Sequence, residues 1–212
     1  LWGSCDRISP EAPVQVVNIK SENLTLGGAG NVIKNLTTLG AQVDIISVIG
    51  ECATSKELIE LLKKIKLDTR YLITQQDRIT SRKSRIISDQ QQVVRYDRES
   101  TDEISNKSQI TIIEIFKEIV GNYDVILLSD YGKGVLTFEL TQSLISIANK
   151  EDKKILVDPK GLDFSKYKGA YLLTPNKKEA SEATNINIKD NESLTLAIKK
   201  LKDQLELKVS LI

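Results

Sequence analysis

Val125-Ile126-Leu127-Leu128, followed by residues 137–150 and then by Lys154-Ile155-Leu156-Val157-Asp158, is the stretch whose reading decides the fold class. The first and last segments are short and almost wholly apolar, as expected of buried strands, and Leu140, Leu144 and Ile147 recur between them at helical spacing. The same alternation runs outward. Downstream, residues 170–174 read as a strand, 176–183 as a short helix, 193–205 as a longer one, and 209–212 as the opening of another strand. Upstream, Ser105 starts a helix to about Val120 with Ile112, Ile113, Phe116 and Val120 on one face. Apolar strands alternating with amphipathic helices predict an α/β domain with a mostly parallel sheet covered on both faces.

The N-terminal half continues the pattern with one interruption. Residues 1–13 read as irregular, since Pro10 and Pro13 oppose a helix at two points. Residues 14–19 read as a strand, and 31–39 as a helix with Val32, Ile33, Leu36 and Leu39 on one face, stopped by Gly40. Residues 43–49 look like a buried strand ending at Gly50, and Ser55 is placed to cap a helix running to about Lys66. Residues 71–74, 81–88 and 91–98 are short, polar and β-leaning. The alternation of Val93 with Arg95 and of Val94 with Tyr96 predicts a small β lobe with one face in water.

Composition narrows the function classes. The 212 residues carry 30 Lys+Arg against 29 Asp+Glu, a formal charge of +1, which offers no basic field for nucleic acid or acidic lipid. No apolar run reaches membrane-spanning length, and no signal pattern opens the chain, so neither a nucleic-acid nor a membrane partner is expected. Cys5 and Cys52 lie far apart without a CxxC spacing, in keeping with a reduced, cytoplasmic protein. The sequence has no histidine, which excludes Ser-His-Asp and Cys-His catalysis within these residues. It also has no methionine, even at position 1, and the chain is therefore expected to begin inside a longer protein.

Ligands of open α/β sheets bind at the carboxyl ends of the strands. Three expected strand ends carry Ser129-Asp130-Tyr131-Gly132-Lys133-Gly134, Asp158-Pro159-Lys160-Gly161 and Thr174-Pro175-Asn176-Lys177-Lys178-Glu179, and a fourth carries Gly50-Glu51. Carboxylates, lysines and glycines together at such ends point to one site for an anionic ligand and to phosphoryl transfer. Lysines and glycine N–H groups would hold phosphate oxygens, while carboxylates and an asparagine hold Mg²⁺ directly or through water. Asn176 and Glu179 stand three apart at a helix start, a spacing that also makes a capping box. There is no P-loop motif. In Leu26-Gly27-Gly28-Ala29-Gly30-Asn31 the third glycine of a dinucleotide fingerprint is replaced by Ile33.

Gly27-Gly28-Ala29-Gly30-Asn31, with Gly40 and Gly50 at their spacings, resembles the N-terminal signature of the ribokinase-like (PfkB) carbohydrate kinases. Residues 7–13, 91–97, 128–134, 158–161 and 173–176 are similar to the members of that family that act on D-glycero-β-D-manno-heptose 7-phosphate, and the similarity runs from about Arg7 to the end. The resemblance implies a ribokinase-like three-layer sandwich with a small β lid from about residues 71–98, and often pairing of two subunits through that lid. It implies ATP and Mg²⁺, and phosphorylation of the sugar's anomeric hydroxyl to the 1,7-bisphosphate used in ADP-heptose and lipopolysaccharide core synthesis.

Carried onto this sequence, Gly27, Gly28 and Asn31 would bind sugar hydroxyls. Residues Asn176, Lys177, Lys178 and Glu179 would lie near the ATP phosphates, with Glu179 toward Mg²⁺. Asp130, Lys133 and Lys160 are candidates for sugar or phosphate contact from their strand-end position and charge, and Arg85 and Arg95 for gripping the 7-phosphate. Two departures stand out. Ile33 occupies a position that is usually small, and the expected Gly-Ala-Gly-Asp element with the catalytic base does not occur up to Ile212. The domain over 1–212 is thus expected to be incomplete at both ends. The alternatives are a related kinase of a hexose phosphate and a non-catalytic sugar-phosphate-binding relative.

Overall fold

A computed structural model describes residues 1–88 and 90–212, apart from the side chain of Asp6. In chain order the elements are β1 (Trp2–Ile8), β2 (Gln15–Ser21), α1 (Ala29–Thr38), β3 (Ser47–Gly50), α2 (Ala53–Lys64) and β4 (Leu72–Gln75). They continue with β5 (Arg82–Ser88), β6 (Gln91–Arg98), α3 (Asn106–Ile119), β7 (Val125–Ser129), α4 (Phe138–Lys150) and β8 (Lys154–Asp158). Then follow β9 (Leu172–Leu173), α5 (Lys177–Thr184), α6 (Asn191–Gln204) and β10 (Val209–Ser210), with 3₁₀ turns at Val120–Asn122 and Ser165–Tyr167. The chain divides into two compact units, one of Leu1–Asp44, Ile49–Thr69 and Gln76–Ser100, the other of Ile45–Val48, Arg70–Gln75 and Thr101–Ile212.

The second unit holds the parallel sheet, in the order β10-β9-β8-β7. Its register runs from Val125↔Lys154 to Ser129↔Asp158, so the polar residues that end β7 and β8 lie side by side. Ile155, Val157 and Leu173 from the strands pack with Ile112, Phe116, Leu140, Leu144 and Leu201 from the helices in one core. Helix starts follow local chemistry. Ser105 and Thr137 accept from the backbone N–H of Ser108 and Leu140, and Asp190 and Ser193 form a reciprocal capping box ahead of α6. The expected burial of β7 on both faces does not hold. Val125 and Leu127 are 47% and 40% exposed on one face of β7, whereas Leu128 on the other face is 6% exposed.

The first unit holds a four-stranded sheet in the order β2-β1-β5-β6. The expected irregular N-terminus is instead the strand β1, which pairs antiparallel with β2 and parallel with β5. Pro10 and Pro13 stand in the connection after β1, outside its pairing with β2. A Cβ on Gly3 would lie 2.2 Å from the Asn18 carbonyl oxygen, so the β1–β2 approach depends on glycine there. The β lobe is accordingly built differently from the expected 71–98 segment: β1 and β2 join β5 and β6, while β4 pairs with β3. The one-sided burial expected of β6 is not seen, since every residue of this edge strand is exposed.

Three further expectations shift by local physics. α2 begins at Ala53 with Cys52 at the cap, and Ser55 is buried in the first turn, where its hydroxyl reaches the Gly50 carbonyl and Thr80. β3 forms only from Ser47, so the expected strand over 43–49 is shorter at its start. Leu39, expected on the inner face of its helix, is the exposed C-cap of α1. Gly134 has φ +73, and a Cβ there would stand 1.9 Å from the Asp102 carbonyl oxygen, whereas one on Gly121 would meet nothing within 4 Å. In the full-length protein Gly134→Ala should therefore lower unfolding stability by about 1–3 kcal/mol or more. Gly121→Ala should stay within about 0.5 kcal/mol. Equal denaturation midpoints for the two variants would contradict this packing.

Candidate functional site

The ends of β7 and β8, the 3₁₀ turn at Ser165–Tyr167 and the start of α5 converge on one group of side chains in the second unit. Asp130, just past β7, has a side chain only 4% exposed. Its Oδ1 accepts from the Gly132 N–H at 2.7 Å, and its Oδ2 accepts from Lys166 Nζ at 2.6 Å and the Tyr167 hydroxyl at 2.7 Å. The Tyr167 oxygen in turn accepts the backbone N–H of Lys160 at 3.1 Å. From there the Lys160 ammonium reaches Glu179 Oε1 at 2.8 Å. Glu179 also closes a capping box with Asn176: the Asn176 N–H meets Oε2 at 3.1 Å, and Asn176 Oδ1 accepts the Glu179 N–H at 3.0 Å. Of the readings of the Asn-x-x-Glu spacing, the helix cap is the one these atoms make.

The electrostatics of this group follow from its charges. Burial pushes the Glu179 carboxyl up, but hydrogen bonds from Lys160 and the Asn176 N–H outweigh it and hold the group below the usual glutamate range. Lys160 is raised, first by its hydrogen bond to Glu179 and then by that residue's charge. Asp158, beside them at the end of β8, is pushed up by burial and by the Glu179 charge, with Lys160 opposing. Burial chiefly drives the Tyr167 phenol far above its ordinary value, so it stays a neutral donor to Asp130. Two carboxylates, Asp158 and Glu179, thus share one exposed ammonium, a donor set suited to a cation or to the metal-bound phosphates of a nucleotide.

The other candidates are placed as follows. Asp130 is internally saturated by three donors, and its charge acts on neighbouring chain segments. Lys133 is half-buried in the loop after β7, and Lys177 and Lys178 are exposed in the first turn of α5, Lys178 lying 3.8 Å from Glu182. In the first unit, Gly28 is the N-cap of α1 with φ 52 and ψ −131, a conformation open to glycine alone. The helix starts at Ala29, so Asn31 is its exposed third residue and not its cap. Arg85 and Arg95 face each other across β5 and β6, and both are exposed. Arg95 is bound to Asp97 through two nitrogens at 2.9 and 2.5 Å, and with Lys83 it holds the Asp97 carboxyl well below its usual range.

Some of the chemistry was not drawn from the sequence. Lys166 and Tyr167 lie in Asp163-Phe164-Ser165-Lys166-Tyr167, where the one available signal was an aromatic residue beside a lysine in a polar loop. The Gly50-Glu51 strand end opens on a cavity of about 320 Å³ lined by Glu51, Cys52, Arg78 and Arg98. The Cys52 thiol, 3.3 Å from the Ser55 hydroxyl, is drawn down to about 7 chiefly by that hydrogen bond.

The Lys160–Glu179 pair has a pH signature. Because Glu179 is depressed in the folded state, its contribution is full above the unfolded value of about 4.3 and is lost as pH falls through the lower folded value. Lys160→Met should move the Glu179 titration upward, read by carboxyl NMR in the full-length protein. An unchanged titration would remove Lys160 as the cause.

Comparison with known proteins bears on the lineage and the fold. The description "pfkB family carbohydrate kinase" matches residues 1–212. Bifunctional protein HldE of Aliarcobacter butzleri is 62% identical over all 212 residues, and that of Campylobacter fetus subsp. fetus is 54% identical over the same span. The chain covers 44% and 46% of those proteins, so it spans less than half the length of these relatives. Among solved structures, Arabidopsis thaliana ribokinase complexed with ribose and ATP superposes with a TM-score of 0.72 at 16% identity, over 99% of this chain and 66% of that one. Phosphofructokinase-2 from Escherichia coli in complex with fructose-6-phosphate superposes with a TM-score of 0.66 at 21% identity, over 98% of this chain and 67% of that one. These likenesses establish the ribokinase-like fold, and the match along the whole chain establishes the lineage: the chain belongs to the pfkB family of carbohydrate kinases.

Proposed function

We propose that this chain is the sugar-phosphate kinase part of its protein, transferring the γ-phosphoryl group of ATP to the anomeric hydroxyl of D-glycero-β-D-manno-heptose 7-phosphate in ADP-heptose synthesis in the cytoplasm. The observation that carries the reading is the Lys160–Glu179–Asn176 arrangement at the start of α5, set in a chain 62% identical over its whole length to a bifunctional HldE protein. In this reading Gly27, Gly28 and Asn31 hold sugar hydroxyls. Lys133, Arg85 and Arg95 serve the sugar's phosphate, and Asn176, Lys177, Lys178 and Glu179 serve the nucleotide.

Mg²⁺ fits the donor chemistry of this group. Glu179 is kept ionised, Asp158 stands near it, and both act on the ammonium of Lys160, whose side chain is 53% exposed. Bound with ATP, the ion would neutralise charge on the phosphates. The residues of this chain orient Mg·ATP and balance its charge, and the reading places no general base among them. Asp130 organises the loops that carry these groups and makes no direct contact with substrate. The exposed Val93, Val94 and Tyr96 of β6 suit pairing of two copies through the β sheet of the first unit. Wild type should then sediment as a dimer and Val94→Glu as a monomer, and a monomeric wild type would remove that pairing.

The full-length protein should phosphorylate heptose 7-phosphate with ATP. Preferential turnover of fructose 6-phosphate would point instead to a hexose-phosphate kinase, and tight sugar-phosphate binding without turnover to a non-catalytic relative. Glu179→Ala should lower kcat by a factor on the order of 10² while sugar affinity stays constant. Asn31→Ala should do the reverse. Alanine favours the α1 helix and keeps the fold, while one lost hydrogen bond weakens sugar binding by about tenfold in calorimetry. Equal effects of both variants on sugar affinity would contradict this division of labour.

A further inference from the structure

We propose that Tyr167 is a positioning residue for the Lys160–Glu179 pair, setting the affinity of the site for Mg·ATP; this rests on the kinase reading above. Tyr167 is fully buried, yet its hydroxyl serves no core element. It donates to Asp130 at 2.7 Å, accepts the Lys160 N–H at 3.1 Å and has the Lys160 carbonyl at 3.3 Å, so it joins the loop after β7 to the loop after β8. Its ring is itself held, 5.9 Å from the Phe164 ring with the Lys166 ammonium 5.2 Å above its face. Lys166 also reaches the same Asp130 oxygen, so the 3₁₀ turn at Ser165–Tyr167 delivers two donors to one carboxylate.

The consequence falls on Lys160. Pro159 before it is fully buried and Gly161 after it has φ +103, so the Tyr167 hydroxyl anchors the one residue between a fixed and a freely turning position. The Lys160 side chain is 53% exposed. An ion pair made by so exposed and flexible a lysine contributes little by itself, about 0–1 kcal/mol. Its meeting with Glu179 therefore depends on where the Lys160 backbone is held. A phenylalanine at 167 would keep the ring and its packing but leave the Lys160 N–H without its acceptor and Asp130 Oδ2 with Lys166 alone.

The test is a double-mutant cycle of Tyr167→Phe and Lys160→Met in the full-length protein, read by calorimetry with Mg·ATP and separately with the sugar phosphate. If Tyr167 acts through Lys160, each single variant weakens Mg·ATP binding by roughly tenfold, the double variant is no weaker than either single, and sugar affinity does not move. The Glu179 carboxyl titration should also shift upward in Tyr167→Phe, toward its position in Lys160→Met. Additive losses, or equal losses for both ligands, overturn the proposal and leave the kinase reading standing. A wild type that binds no Mg·ATP overturns both. Should Tyr167→Phe not fold, Asp130→Asn takes its place in the cycle. It keeps the shape while weakening the acceptor of the Tyr167 hydroxyl, and the same non-additive, nucleotide-selective loss is expected, with additivity again overturning the proposal.

Discussion

A carboxylate with 4% of its side chain exposed is stable only if its charge is met, and Asp130 meets it with a backbone N–H, an ammonium and a phenol. That requirement organises one end of the parallel sheet. The three donors come from the loop that Asp130 itself begins and from the turn at Ser165–Tyr167, and Tyr167 passes the constraint on to Lys160. Removing one partner of a buried pair of this kind typically costs about 3–5 kcal/mol, more than any surface ion pair contributes. The buried charge is thus the fixed point, and the exposed Lys160–Glu179 pair is adjusted relative to it.

The first unit is governed by close backbone approach. A Cβ on Gly50 would lie 1.8 Å from the Arg78 carbonyl oxygen, so that strand end can lie against the Arg78–Thr80 segment only as glycine. The hydroxyls of Ser55 and Thr80 then satisfy the Gly50 carbonyl and N–H. Gly28 has a related role at the start of α1: its positive φ lets the chain enter the helix with no side-chain cap, and the N–H groups of Gly30, Asn31 and Val32 are met by the Gly27 and Gly28 carbonyls. The glycine stretch is therefore a helix entrance before it is anything else.

Charge in this protein is local. A formal +1 over 212 residues hides clusters in which lysine and carboxylate are paired by position, such as Lys83 with Asp97 and Glu99 on the first unit's sheet. Opposed Arg85 and Arg95 would repel across β5 and β6, and Asp97 relieves this by taking up Arg95. Solvent-exposed pairs of this kind shape where cations can point more than they stabilise the fold.

Periodicity alone determined much of the second unit. Runs such as Val125–Leu128 and Lys154–Asp158, with Leu140 and Leu144 between them, have few other ways to bury their apolar atoms. The caps Ser105, Thr137 and Asn176 are local chemistry that needs no distant partner. The glycine motif and the strand-end clusters likewise made the family and the candidate residues legible. Tertiary structure decided the rest, because long-range pairing has no local signature. β1 is a strand only because β2 and β5 supply its ladder, and Leu127 is exposed because its face of β7 is left uncovered, which an apolar run cannot announce. Asp130 looked like a ligand group in the sequence. Its burial beside Lys166 and Tyr167, 36 and 37 residues away, makes it an anchor for the loops at this end of the sheet.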